Sequence, residues 1–197
     1  MKVMRDADDE IILASRSPRR REIARAEGWA VRTIAPPEAA EADAAPRGPD
    51  ESLRAYVRRL ALAKAEAVVA LVPTGRILAC DTLSEVDGLL LGKPRDRCDA
   101  RRMLEALSGR VHRVVTGVCL WPRPDGQPRL ADAESLLEMD PLDPAFLDWY
   151  LDSGLWQGKA GACGFQDERL PLRLVAGSPT NVVGLPVELV REMLAER

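Results

Sequence analysis

The sequence predicts a mixed α/β domain in which a sheet is flanked by helices, and three observations carry that prediction. Apolar, strand-like runs alternate with segments of helical period along the chain. The pair Asp87-Gly88 separates Leu83-Ser84-Glu85-Val86 from Leu89-Leu90-Leu91, and Asp-Gly accommodates the positive φ angles of a tight hairpin turn. A chain of 197 residues, 46% of them hydrophobic, buries a sizeable core as one domain spanning residues 1–197, with room for two lobes and no need of a disulfide or structural metal.

The apolar run Ile11 to Ala14 reads as the first strand, and Pro18 to Glu27 as the first helix, because Pro suits the first helical position and Ser15 or Ser17 caps it. Trp29 to Ala35 reads as a strand. Pro36 to Asp50, rich in Pro, Ala and acids and without periodicity, is a loop. From Ser52 to Leu71 the apolar positions Leu53, Val57, Leu60 and Val68 keep helical spacing, with Asp50 or Ser52 as cap. Ile77 to Thr82 reads as a buried strand that ends in the carboxylate Asp81, and the hairpin that follows would set Asp81 and Lys93 at one sheet end. Asp99 to Leu107 is a helix stopped by Ser108-Gly109. Two long strands, Val111 to Trp121 and Arg129 to Glu138, are joined through Pro122-Arg123-Pro124-Asp125-Gly126. Asp143 to Leu151 and Pro186 to Arg197 complete the helices.

Composition narrows the function classes. The formal net charge of −3 argues against a general nucleic-acid surface, which needs many phosphate contacts from clustered Lys and Arg. No stretch is long and apolar enough for a membrane span; Met1 to Glu10, with Asp6, Asp8, Asp9 and Glu10, reads as neither a signal peptide nor an anchor, and residues 1–9 read as a flexible lead-in. Cys80, Cys98, Cys119 and Cys163 form no C-x-x-C pair and read as buried, reduced thiols of a cytoplasmic protein. His112 lies in a strand-like run and reads as structural, and Trp149, Tyr150 and Trp156 read as core more than as cleft lining.

The chemistry concentrates where the first strand hands over to the first helix, at Ser15-Arg16-Ser17-Pro18-Arg19-Arg20-Arg21. First-turn N–H groups lack intrahelical partners and the helix dipole is positive there, so an anion is stabilised, and the serine hydroxyls and arginines add charge-assisted contacts. A solvated basic face is the plainer alternative. Lys64 stands on the apolar stripe of its helix, so it either snorkels to solvent or points into a polar cleft. Gly92-Lys93-Pro94 adds a second basic point.

Taken in order, Ser15-x-Ser17-Pro18-Arg19-Arg20, Tyr56-Val57-x-Arg59-Leu60-Ala61 with Lys64-Ala65, Ala79-x-Asp81-Thr82 and Gly92-Lys93-Pro94 are collinear with a known family. So are Leu107-Ser108-Gly109-Arg110, Thr116-Gly117-Val118, Lys159-Ala160-Gly161 and Asn181-Val182-Val183-Gly184-Leu185-Pro186. The chain resembles the Maf family, nucleoside triphosphate pyrophosphatases first described as septum formation inhibitors. The resemblance implies an elongated mixed sheet like that of the inosine triphosphatases, with two lobes around a cleft. It implies Asp81, Lys64 and Lys93 as catalytic, and Ser15, Arg19, Arg20, Thr82, Lys159 and Gln166 as substrate-binding residues. A divalent cation, Mg²⁺ or Mn²⁺, is expected on Asp81 and a second acid. Where the family carries an Asp-Glu pair this chain has Glu38, Glu41 and Asp43, and Glu41 is chosen.

Arg19, Thr82 and Gln166 match the branch acting on dTTP and UTP; the branch acting on 7-methyl-GTP carries Trp, Gln and Glu at those places. An amide can pair with a pyrimidine edge, whereas a carboxylate and a Trp face suit a cationic purine. The chain departs from the family pattern at Arg16, at Asp167 in place of a glycine, and at Pro179-Thr180 before Asn181. The expected function is conversion of dTTP, UTP and modified pyrimidine triphosphates to monophosphate and pyrophosphate. The alternatives are 7-methyl-GTP hydrolysis and a nucleotide-binding regulator of cell division with little turnover. The nucleotide used in the cell and the oligomeric state, a homodimer included, stay open on sequence alone.

Overall fold

The computed structural model describes residues 10–37, 40 and 46–196. In chain order the elements are β1 (Ile11–Ala14), α1 (Pro18–Ala26), β2 (Val31–Ile34), α2 (Leu53–Val69), β3 (Gly75–Val86), β4 (Leu89–Leu91) and α3 (Arg97–Leu107). There follow β5 (Val111–Arg123), β6 (Arg129–Met139), α4 (Pro144–Asp152), a 3-10 turn (Ala160–Ala162), β7 (Leu172–Ala176), α5 (Pro179–Val183) and α6 (Val187–Ala195). The strands form one mixed sheet in the order β2-β1-β3-β5-β6-β7, with β4 paired to β3. β1 runs parallel to both β2 and β3, whereas β4 and β7 are antiparallel to their neighbours.

The chain divides into two compact units. The first comprises Met1–Asp81, Thr116–Ala133 and Gly184–Arg197, and the second Thr82–Val115 and Glu134–Val183.

In the first unit the period-2 geometry of β1 explains its unbroken apolar run. Ile11 and Leu13 enter one core with Leu78, Cys80, Val118, Leu120, Ala24 of α1 and Val190 and Met193 of α6. Ile12 and Ala14 point the other way, into a core with Ile77, Ala79, Cys119 and Ala61, Ala65 and Val68 of α2. Both faces of the sheet are covered, so no polar alternation survives. In the second unit α3 buries Ala100, Met103, Leu104 and Leu107 against Val86, Leu91, Leu147, Tyr150 and Trp156.

Caps fix where the helices begin. Ser17 and Ser52 take the cap positions of α1 and α2, their hydroxyls accepting from the backbone N–H of Arg20 and Ala55. Asp96 caps α3 through Asp99 N–H at 2.8 Å, so that helix starts two residues before the expected Asp99. Asp143 caps α4, with Pro144 in the first turn.

Several expectations change. β3 does not end at Asp81: it continues to Val86, leaving Asp81 inside a strand, because Leu83–Val86 extends the same strand into the hairpin instead of starting a new one. β7 and α5 were not expected. The segment Trp29 to Ala35 contributes only Val31–Ile34, since Trp29 N–H still bonds Ala24 O at the end of α1. Cys98 is exposed rather than buried, lying in the first turn of α3 on its solvent side.

Candidate active site

In the first unit the site grows from the junction of β1 and α1. Ser15 is buried, and its Oγ accepts from Ser17 N–H at 3.1 Å, while Ser17 serves as the cap; the two serines thus divide the work between them. Arg20, buried despite its charge, donates from Nε to Gly184 O at 2.7 Å and from Nη1 to Cys80 O at 2.8 Å. The first turn of α1 is thereby tied to the carbonyl one residue before Asp81. Arg19, half-buried, makes no hydrogen bond or ion pair among the described residues.

Lys64, on the buried stripe of α2, points inward rather than snorkelling. Its Nζ donates to Asp81 Oδ1 at 2.5 Å, and the two side chains keep only 7% and 14% of their surface exposed. Asp81 Oδ2 accepts no hydrogen bond among the described residues, so one carboxylate oxygen is held by the ammonium and the other stays available. The desolvated Cys80 thiol beside this pair is pushed up to about 11, so it stays protonated at neutral pH. Nearer the start of α2, Arg59 grips Glu51 through Nε at 2.9 Å and Nη2 at 2.8 Å, holding that carboxyl down at about 2 and fixing the end of the loop after β2.

The remaining expected residues lie in the second unit. Thr82 is half-buried, directly after Asp81 in the chain. Lys93 is exposed, two residues beyond Leu91, the last paired residue of the hairpin. Gly161 N–H donates to Gly92 O at 3.0 Å, which joins the Lys93 segment to the Lys159 segment. Lys159 is half-buried, with its stem lying over Gly164. Gln166 is exposed on the turn that follows, where Asp167 N–H bonds Gly164 O and Asp167 Oδ1 accepts from Arg169 N–H. Burial, reinforced by the Asp167 carboxylate, pushes the Tyr150 hydroxyl above its ordinary value. Tyr150 and Trp156 are core residues, whereas Trp149 is partly exposed under the Arg169 guanidinium. His112 is buried, and desolvation lowers it to about 4.

Glu41, Glu38 and Asp43 lie outside the described residues, and among the described residues no three His, Cys, Asp or Glu side chains converge as a metal site. Asp81 itself fits a hard cation: a Mg²⁺ ion commonly takes one or two carboxylates and completes its shell with phosphate oxygens and water. No helix of the described residues is long and apolar enough to cross a membrane. Sequence reasoning missed the acceptors of Arg20. Gly184, with φ of 106°, had a signal as the glycine of the Asn181 to Pro186 string, but a main-chain carbonyl such as that of Cys80 has none.

Several known proteins are similar to this chain over most of its length. A dTTP/UTP pyrophosphatase of Rhodopirellula baltica is 42% identical over 187 residues, 94% of this chain and 81% of the relative. One of Symbiobacterium thermophilum is 41% identical, covering 95% and 93% of the two chains, and one of Pyrococcus abyssi is 38% identical, covering 93% and 94%. The model of the Maf-like proteins matches residues 10–197, and on that match, together with these relatives, the chain belongs to the Maf family.

Proposed function

We propose that this protein hydrolyses dTTP and UTP to the monophosphate and pyrophosphate. The observation that carries the reading is the buried Lys64–Asp81 pair, one residue from the Cys80 carbonyl on which Arg20 anchors the start of α1. The relatives named as dTTP/UTP pyrophosphatases support the substrate class.

In this reading the triphosphate lies at the N-terminus of α1, where Ser15, Arg19 and the first-turn N–H groups bind phosphate oxygens. Water attacks the α-phosphorus, its oxygen forms the new P–O bond, and the α–β bridging oxygen leaves with pyrophosphate. Asp81 Oδ2 takes the proton released by the water, while Lys64 holds Oδ1 and so fixes the carboxylate's orientation. Lys93 and Lys159 supply charge to the phosphates, Thr82 a hydroxyl, and Gln166 the amide that pairs with a pyrimidine edge. As the alternative to serving as base, Asp81 Oδ2, with Glu41 as the second acid, would hold Mg²⁺ or Mn²⁺, which would neutralise charge on the transferring group and acidify the attacking water.

The test is pyrophosphate release from dTTP, UTP, dATP, GTP and 7-methyl-GTP, with Mg²⁺, with Mn²⁺ and with chelator. Preference for dTTP or UTP, abolished by chelator, is expected. Preference for 7-methyl-GTP would move the protein to the other branch, and tight nucleotide binding without turnover would make it a regulator.

A further inference from the structure

We infer that Gly117 of β5 is a positioning residue, which sets the height of α2 on the sheet and through it the reach of Lys64 to Asp81. The inference rests on the reading of Lys64 and Asp81 as the reacting pair. A Cβ added at Gly117 would stand 2.2 Å from Val57 O, 2.3 Å from Val57 C and 2.6 Å from Arg58 N. These are main-chain atoms of α2 and cannot rotate away. Gly117 has no left-handed backbone to explain it; the missing side chain is what matters.

Val57 lies two helical turns before Lys64, and Val57, Ala61, Lys64, Ala65 and Val68 form the buried stripe of the helix. The alanines at 61 and 65 continue the close seat that Gly117 begins. Cys119, two residues on and hence on the same face of β5, shares the core of Ala61 and Ala65, whereas Val118 packs on the opposite face. Relief of a 2.2 Å approach to ordinary contact requires lifting the helix by at least about 1.2 Å. The 2.5 Å contact of Lys64 with Asp81 would not survive that lift.

The experiment compares Gly117→Ala, Ala61→Val as a second wedge from the helix side, and Val118→Ala as a packing loss on the far face. For each, kcat, KM and Tm are measured, along with the rate at which an amine-acylating reagent labels Lys64, read by mass spectrometry. Both wedges should lower kcat by ~30- to 100-fold, as a misplacement of ~1 Å can do, with KM within ~3-fold, and should speed Lys64 labelling. Val118→Ala should lower Tm alone. Lys64→Arg, with its longer arm, should recover part of the kcat lost in Gly117→Ala. Should Gly117→Ala fail to fold, Ala61→Val decides. The inference is overturned if the wedges keep wild-type kcat, or if kcat falls while Lys64 labels at the wild-type rate. A wild-type protein that hydrolyses no triphosphate would refute the proposed reaction instead, and the labelling rates would still decide whether Gly117 seats the helix.

Discussion

Replacing Asp81 by Asn and Lys64 by Met, singly and together, measures how strongly the two groups depend on each other. At 2.5 Å the raw attraction is about 7 kcal/mol for an effective dielectric constant of ~20. Both side chains are nearly out of water, so desolvation offsets most of that attraction, and a net coupling of about 2–3 kcal/mol is expected. Each single variant should therefore lose about 3 kcal/mol in urea unfolding, and the double variant about 2–3 kcal/mol less than the sum of the two. Turnover should respond separately. Asp81→Asn keeps the shape but loses the base, and should lower kcat at least ~100-fold, equivalent to about 2.7 kcal/mol of transition-state stabilisation. The four proteins are compared by pyrophosphate release and by urea titration. Stability losses that add to within ~0.5 kcal/mol would show the pair to be uncoupled, and near-normal turnover in Asp81→Asn would remove that residue from the reaction.

Arg20→Ala should lower kcat/KM by roughly 10²-fold and also destabilise the fold, since two buried carbonyls lose their donor; Arg21→Ala should do far less, and equal effects would reduce the cluster to a diffuse basic face. Gln166→Glu should weaken use of dTTP and UTP while sparing activity on other triphosphates, because a carboxylate lacks the amide donor; an equal fall for every nucleotide in the panel would refute a role in base choice. His112 sits at about 4 when folded against an ordinary 6.5, so the unfolded chain binds a proton that the folded chain refuses. Stability should then be full above about pH 6.5 and decline as pH falls toward 4, by on the order of 3 kcal/mol, and His112→Gln should flatten the urea midpoint across that window. An unchanged slope in the variant would assign the acid sensitivity to other groups.

What the sequence made legible was written in local chemistry. Ser52 before a helical stripe and Asp87-Gly88 between Val86 and the run Leu89–Leu91 each announce a single backbone geometry, and each is found. β7 escaped because Leu172–Ala176 is short, is broken by Arg173 and has no buried residue, so only the apolar triplet Leu174–Ala176 marks it as a strand. The turn at Ala160–Ala162 escaped because Ala162, with φ of 59°, takes a conformation that alanine does not advertise. At the site, Lys64 on an apolar stripe and Asp81 in a buried strand were both visible, but their contact depends on how closely α2 lies on the sheet. Arg20 was visible as a charge, while its two acceptors are backbone carbonyls that no side chain marks.

The core that joins β1 to α6 has a consequence for synthesis. Ile11 and Leu13 are among the first described residues to leave the ribosome, yet the same core takes in Leu185, Val190 and Met193 near the far end of the chain. Until α6 emerges, that face of β1 and β3 has only the α1 side, through Ala24, to cover it, and the growing chain carries a partly bare apolar strand pair that a chaperone can shield. A nascent chain stalled before Gly184 should thus bind hydrophobic chaperones more strongly than one extended past Ala195.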